Sequence, residues 1–201
     1  MAGAVAARTK AEYSSSIRSK ERIRDAFFEM LQEKPVEKIT VTDIIRNAHV
    51  NRGTFYAHYA DIHQLLESIE NEYLEMFDGM LEQIDSMEDI QSPLRFLLMI
   101  SDFLEKNEEL YRKLAWATVT EVLISKMQDH FIQHMEHMSE LPEELRNSLA
   151  FRARVYLFAG GISGIYRAWM RGELDANLQE VAQEVNRIIL DESLLFFQEK
   201  K

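Results

Sequence analysis

Arg52, Thr54, Tyr56 and His58 line up hydrogen-bond donors along one short stretch, Asn-Arg-Gly-Thr-Phe-Tyr-Ala-His-Tyr from Asn51 to Tyr59. Donors of these types suit phosphate oxygens or the edges of bases. At about 100° per residue on a helix, Phe55 and Tyr59 share one side and belong in a core, while Gly53, Ala57 and Ala60 point the other way. A side made of glycine and alanine lets a helix backbone press deep into a groove. The first N–H groups of such a helix and its positive dipole end also favour a phosphate. The alternative is a small surface helix with ordinary polar decoration.

Something must hold that helix in place, and the flanking residues carry the signals. Thr40 is a hydroxyl N-cap with Asp43 three residues on, and Ile39 and Ile44 occupy the staple positions around it. Asn51 can cap the second helix, with Val50 and Phe55 as its staple, and Asp61 can cap a third, with Gln64 three residues on. Between the first two lies only Ala48-His49-Val50, a tight turn. Helix, short turn, helix over about residues 39–58 is the helix-turn-helix layout, whose second helix is offered to a DNA major groove.

The run Thr-Val-Thr-Asp-Ile-Ile-x-x-Ala-x-Val-x-Arg-Gly-Thr-Phe-Tyr-x-His-Tyr, residues 40 to 59, resembles the DNA-binding motif of the TetR family of bacterial transcriptional regulators. The resemblance implies an all-helical homodimer with an N-terminal DNA-binding domain and a larger C-terminal domain for dimerisation and, usually, ligand sensing. His49 stands where similar proteins often have glycine in the turn; histidine tolerates the left-handed conformation better than most residues. Ile62 stands where family members commonly carry a lysine that reaches a phosphate, which bears on one backbone contact and not on the docking. The C-terminal half weakly resembles a group of Firmicutes regulators that includes the dihydroxyacetone kinase regulator, in which a protein partner exerts control.

A net charge of −11 argues against a nucleic-acid partner until its distribution is resolved. Residues 1 to 66 hold ten Lys and Arg against eight Asp and Glu, a balance of +2, and the remainder holds 13 against 26, a balance of −13. An acidic body with a basic tip is steered onto DNA in one orientation. The hydrophobic fraction of 46% is ample for a packed core, and 7 Gly and 3 Pro leave little punctuation for a sheet protein. With no cysteine there is neither a disulfide framework nor a thiolate metal site nor a cysteine nucleophile. No G-x-S-x-G, H-E-x-x-H or phosphate-binding glycine loop is present, so the chain does not read as an enzyme, and no cofactor is expected. The charge-free stretch from Val155 to Tyr166 falls short of the roughly 20 residues a membrane span requires. A cytoplasmic protein is expected.

About nine helices follow from the patterns, in an all-α fold with a DNA-binding domain over 16–76 and a dimerisation and effector or partner-binding domain over 77–201. Met1 to Ser16 reads as an unstructured arm. The first helix, about Ile17 to Glu33, buries Ile23, Ala26, Phe27, Met30 and Leu31, and its Arg18 and Lys20 are either near a phosphate or plain solvated charges. The fourth helix carries its apolar stripe from Leu65 to Ile84 and is the natural lever between domains. Asp85 to Gln91 is acidic and irregular, Ser92-Pro93 and Asn107 mark the next starts, and a single helix runs from Leu141-Pro142 to about Gly172. The last helix opens on Asn177 and Glu180 and keeps its stripe to Leu194 and Leu195.

Three glycines inside the penultimate helix, Gly160, Gly161 and Gly164, cost about 1 kcal/mol each relative to alanine, so a close helix approach should compensate. That neighbour is either a second copy, placing Gly160, Gly164, Ile165, Val185 and Ile189 at a dimer interface, or a helix of the same chain. Tyr73, Phe77, Phe103, Trp116, Phe131 and Tyr156 could line an adaptable apolar ligand pocket or be plain core. His130, His134 and His137 share one helix side, where a divalent metal and a solvated face are the alternatives, and no metal is expected. Arg52, Thr54 and Tyr56 are expected to contact bases or phosphate, with Thr40, Thr42, Gly53 and His58 positioning the backbone and Lys20 beside it. The expected partners are double-stranded DNA, a second copy, and a small-molecule effector; the rival is a DNA-bound adaptor whose C-terminal domain answers to a protein partner.

Overall fold

The helical spacing of Ile23, Phe27 and Met30 becomes the buried side of the first helix in the computed structural model, which describes residues 2–84, 92–139 and 141–193, with side chains between 15 and 190. Asp85 to Gln91, and Leu194 and Leu195, lie outside the described residues. Every regular element described is helical. Helix α1 spans Ala2–Glu33 and a 3-10 turn covers Val36–Lys38; α2 is Val41–Asn47, α3 Arg52–Tyr56 and α4 Ile62–Leu81. They are followed by α5 (Leu94–Glu105), α6 (Glu108–Leu114), α7 (Thr118–His137), α8 (Glu143–Arg146), α9 (Leu149–Met170) and α10 (Leu178–Ser193).

Two boundaries differ from the sequence reading, each for a local reason. Helix α1 starts at Ala2 in place of an arm to Ser16; Ala2, Ala4, Ala6, Ala7 and Ala11 supply the highest helix propensity where no apolar stripe exists to be read. The helix expected from Leu141 breaks in two because Ser148 turns extended and its Oγ accepts from the Phe151 N–H at 3.2 Å, capping α9 afresh.

The chain divides into a first unit, Met1–Glu72 with Ala117–Val119, and a second, Tyr73–Trp116 with Thr120–Lys201. In the first, Phe27, Ile44, Phe55 and Leu65 have no solvent exposure, and Tyr59 meets the Phe55 ring at 5.9 Å. Burying one such side chain is worth about 1.5–3 kcal/mol, enough to fix a helix as short as α3. Glu29 on α1 accepts from Asn47 at 2.7 Å, and Arg24 pairs with Glu72 at 2.9 Å.

The second unit is built around α5, α9 and α10. Leu97 and Leu104 of α5 pack with Ile162, Tyr166 and Trp169 of α9, and with Leu178, Val181 and Val185 of α10. A polar triad sits inside this core: fully buried Ser101 donates to the Leu178 carbonyl at 3.0 Å, Tyr166 donates to the Leu97 carbonyl at 2.9 Å, and the two hydroxyls lie 3.0 Å apart. Each hydroxyl has one hydrogen, so two of the three contacts are hydrogen bonds at any moment. Burial pushes the Tyr166 phenol up to about 12, keeping it neutral. Helix α9 ends in a Schellman arrangement: Gly172 takes φ +74, its N–H reaches Trp169 O at 2.9 Å, and the Glu173 N–H reaches Ala168 O at 2.9 Å.

Candidate nucleic-acid interface and the cavity of the second unit

Asp43 organises the entry to α2. Its Oδ2 accepts from the Thr40 N–H at 3.0 Å, the Thr40 hydroxyl at 2.7 Å and the Lys34 ammonium at 2.6 Å, while Thr40 Oγ1 accepts from the Asp43 N–H at 3.2 Å. This is a complete capping box with a cation added. Lys34 foremost, then Thr40, hold the Asp43 carboxyl well below the ordinary carboxylate range. A carboxyl depressed on folding stabilises the fold above its ordinary value of 3.8 and loses that contribution as pH falls through the folded value. At about pH 7 the native protein should melt above Asp43→Asn, and the gap should close as pH is lowered below 3.8, followed by circular dichroism. A gap unchanged down to about pH 2 would remove charge from the account.

The turn is closed by His49, at φ 50, the one non-glycine residue with positive φ among the described residues. Its carbonyl accepts from Arg22 Nη2 at 2.6 Å, so α1 pins the turn from outside. Asn51 then caps α3, its Oδ1 taking the Thr54 N–H at 2.7 Å and the Thr54 hydroxyl at 3.1 Å. A Cβ at Gly53 would stand 3.2 Å from that Oδ1, tighter than ordinary contact, which is a reason for glycine beside the cap. Regular helix ends at Tyr56, and Ala57 to Tyr59 continue as a turn.

Gly53, Ala57 and Ala60 are exposed, Phe55 and Tyr59 buried, and Tyr56 stands 49% exposed on the open side. Arg52 Nη2 lies 3.3 Å from Thr42 Oγ1, joining the exposed starts of α3 and α2. Thr40 is spent on the capping box. His58 forms a second group with α1: Ser19 Oγ donates to Ser16 O at 2.9 Å, leaving it to accept from His58 Nε2 at 2.7 Å. Burial, and then the charge of exposed Lys20, lower the His58 pKa, so the ring is neutral near pH 7 and its Nε2 is committed to α1. Ser19 and Arg22 were not legible as site residues. Their partners are 39 and 27 positions away, and no short-range spacing announces them.

In the second unit a cavity of about 110 Å³ opens among α4, α5, α7 and α9. Of the residues named as candidates for an apolar pocket, Tyr73, Phe77, Phe103 and Phe131 line it, together with Phe96 and Phe158 among others. Trp116 and Tyr156 do not: they are 70% and 54% exposed, Trp116 with the Arg171 guanidinium 4.2 Å over its ring, and Tyr156 on the outward side of α9. The histidines expected on one side of α7 are each engaged elsewhere. His130 Nδ1 meets Asp78 at 2.7 Å, His134 Nε2 meets Ile84 O at 3.2 Å, and His137 Nδ1 meets Gln133 O at 2.7 Å.

The glycines of α9 face open space. A Cβ at Gly160, Gly161 or Gly164 would meet nothing within 4 Å, so no helix among the described residues packs against them. Leu149 and Leu157 on the same helix are 84% and 73% exposed. Val185, expected at a dimer interface, is corrected to the core: it is 7% exposed and packs within its own chain, with Ile165 and Ile189 partly buried against the same cluster. The stripe of α10 is occupied by α5, which it packs against.

Residues 23–69, which run from α1 through α2 and α3 into α4, match the family profile described as "Bacterial regulatory proteins, tetR family". Over those residues the chain carries a TetR-family helix-turn-helix domain. The chain is 38% identical over 66 residues, 32% of its length, to an uncharacterised HTH-type transcriptional regulator, YxbF, of Bacillus subtilis. Over 117 residues, 58% of the chain, it is 28% identical to the HTH-type dhaKLM operon transcriptional activator DhaS of Lactococcus lactis. These matches span only 17% and 55% of the two relatives. In fold it is similar to the fatty acid degradation regulator FadR of Bacillus halodurans, with a TM-score of 0.64 at 16% identity, over 87% of this chain and 95% of that one. No helix among the described residues is long and apolar enough to cross a membrane.

Proposed function

We propose that this TetR-family regulator works as a cytoplasmic homodimer that lays its two α3 helices into successive major-groove turns of a palindromic operator, and that a small molecule in the cavity releases it. The observation that carries the reading is the open side of α3, where Gly53, Ala57 and Ala60 are exposed and Arg52, Thr42 and Tyr56 border them. Arg52, Thr54 and Tyr56 take the base and phosphate contacts; Thr40, Thr42, Gly53 and His58 set the backbone, with Lys20 adding charge at its flank. Two-fold symmetry supplies the second reading head, and the uncovered glycine side of α9 is the surface for it. Tyr73, Phe77 and Met80 of α4 line the cavity, and that helix is continuous with residues of the first unit, so a ligand that favours another setting of α4 changes the separation of the heads.

Binding to the DNA upstream of the protein's own coding region should weaken steeply with salt, with a negative log–log slope near −0.9 per phosphate neutralised. Absence of both affinity and slope, measured by fluorescence anisotropy, would remove the DNA reading. The rival, control by a protein partner, has one observation in its favour: Trp116 is 70% exposed and Val122 43%. Release of DNA by a cavity-sized molecule alone would exclude it as the sole control.

A further inference from the structure

Resting on the effector reading, we infer that the cavity of the second unit takes an uncharged aromatic molecule of about one substituted ring, carrying a hydroxyl or N–H that donates to Gln128. Size sets the first limit. The space is about 110 Å³, and an engineered cavity of about 150 Å³ lined by Leu, Ile and Phe stays dry and binds benzene.

Shape and charge set the next two. Phe96 and Phe131 stack at 5.7 Å and Phe131 and Phe158 at 5.5 Å, while Phe77 meets Phe96 edge-on at 6.0 Å, so the wall offers both faces and edges to a further ring. No Asp, Glu, Lys, Arg or His lines the cavity. A carboxylate or ammonium entering it would lose its water and gain no counter-charge, which is strongly unfavourable.

The polar atoms of the wall narrow the choice further. Tyr166 is spent on Leu97 O and Ser101, and Ser163 Oγ donates to Ala159 O at 2.8 Å. Gln128 Nε2 leans on that same carbonyl at 3.4 Å, and its Oε1 accepts from no protein group among the described residues. The wall is otherwise almost wholly apolar, and Gln128 is the residue in it with an amide acceptor to spare. Tyr73 turns ring edges to Phe103 and Tyr111, and its hydroxyl serves as donor or acceptor, so it does not select between ligand donors and acceptors.

Isothermal titration of the full-length protein with phenol, toluene, benzoate, benzylammonium and octanoate tests this. Phenol should bind tightest, toluene about two- to tenfold weaker for want of one hydrogen bond, and the three charged probes at least about a hundredfold weaker. Gln128→Leu should bring phenol to the toluene level or below it and leave toluene unchanged, with helicity retained. Ser163→Leu, which fills the space, should abolish both. Benzoate or octanoate binding as tightly as phenol, a phenol preference surviving Gln128→Leu, or no heat from phenol or toluene at millimolar concentration would overturn the inference. DNA affinity is read separately: phenol bound with affinity for DNA unchanged keeps the ligand class and removes the effector role. Octanoate releasing DNA while phenol fails to bind does the reverse.

Discussion

Replacing Thr54 and Tyr56 together with alanine should lower the affinity for operator DNA by about a hundredfold or more while leaving helical content and oligomeric state unchanged. A well-made contact to a base edge is worth about 1–3 kcal/mol, and two lost together multiply to that range. The fold has little at stake in either side chain. Tyr56 is 49% exposed, and Phe55 beside it carries the burial of α3 with no exposure at all. Thr54 loses only its hydroxyl contact to Asn51 at 3.1 Å; the backbone bond that caps the helix, from the Thr54 N–H at 2.7 Å, survives alanine. Anisotropy titrations at fixed salt, with circular dichroism and sedimentation as controls, decide the matter. Affinity retained in the double variant would mean that a different element reads the DNA.

The helix-turn-helix was legible because its chemistry is short-range. Thr40 with Asp43, Asn51 with Thr54 and Asp61 with Gln64 are all three residues apart, and each forms the hydrogen bond that its spacing implies. His49 takes the left-handed region in the tight turn that Ala48-His49-Val50 announces, a conformation histidine tolerates. What the sequence could not show is the pairing of distant residues. Arg22 on the His49 carbonyl and Ser19 on His58 are products of how α1 lies across the head.

In the second unit the difficulty is of another kind. Helix α9 is apolar nearly all round, with Val155, Ala159, Ile162 and Tyr166 turned inward and Tyr156, Leu157, Gly160 and Gly161 turned outward. No 3.6-residue period distinguishes two apolar sides, so Tyr156 was as good a candidate for the cavity as Phe158. Trp116, between α6 and α7, escaped for a different reason. Composition says that an aromatic residue wants cover, and only packing says whether α6 and α7 provide it.

Leu157→Glu should split the proposed dimer, raising its dissociation constant by about a hundredfold or more, and should carry operator affinity down with it. Leu157 is 73% exposed in the single chain, beside glycines whose outer surface meets nothing within 4 Å, so the substitution removes no contact on which the chain's own fold depends. Across a two-fold axis each copy presents the same patch to the other, so one substitution delivers two like charges to one dry contact. Neither finds a counter-charge there, and unpaired buried charge is penalised far more heavily than a lost leucine contact. Because each half-site alone holds one head, loss of the dimer removes the gain from binding both at once. Sedimentation velocity across a concentration series measures the first effect, and anisotropy with a full palindrome against a half-site measures the second. Gly161→Leu gives an independent reading, since it blocks close approach by bulk with no change of charge. If both variants sediment as the native dimer, the copies associate through some other face, and the open side of α9 has a different partner.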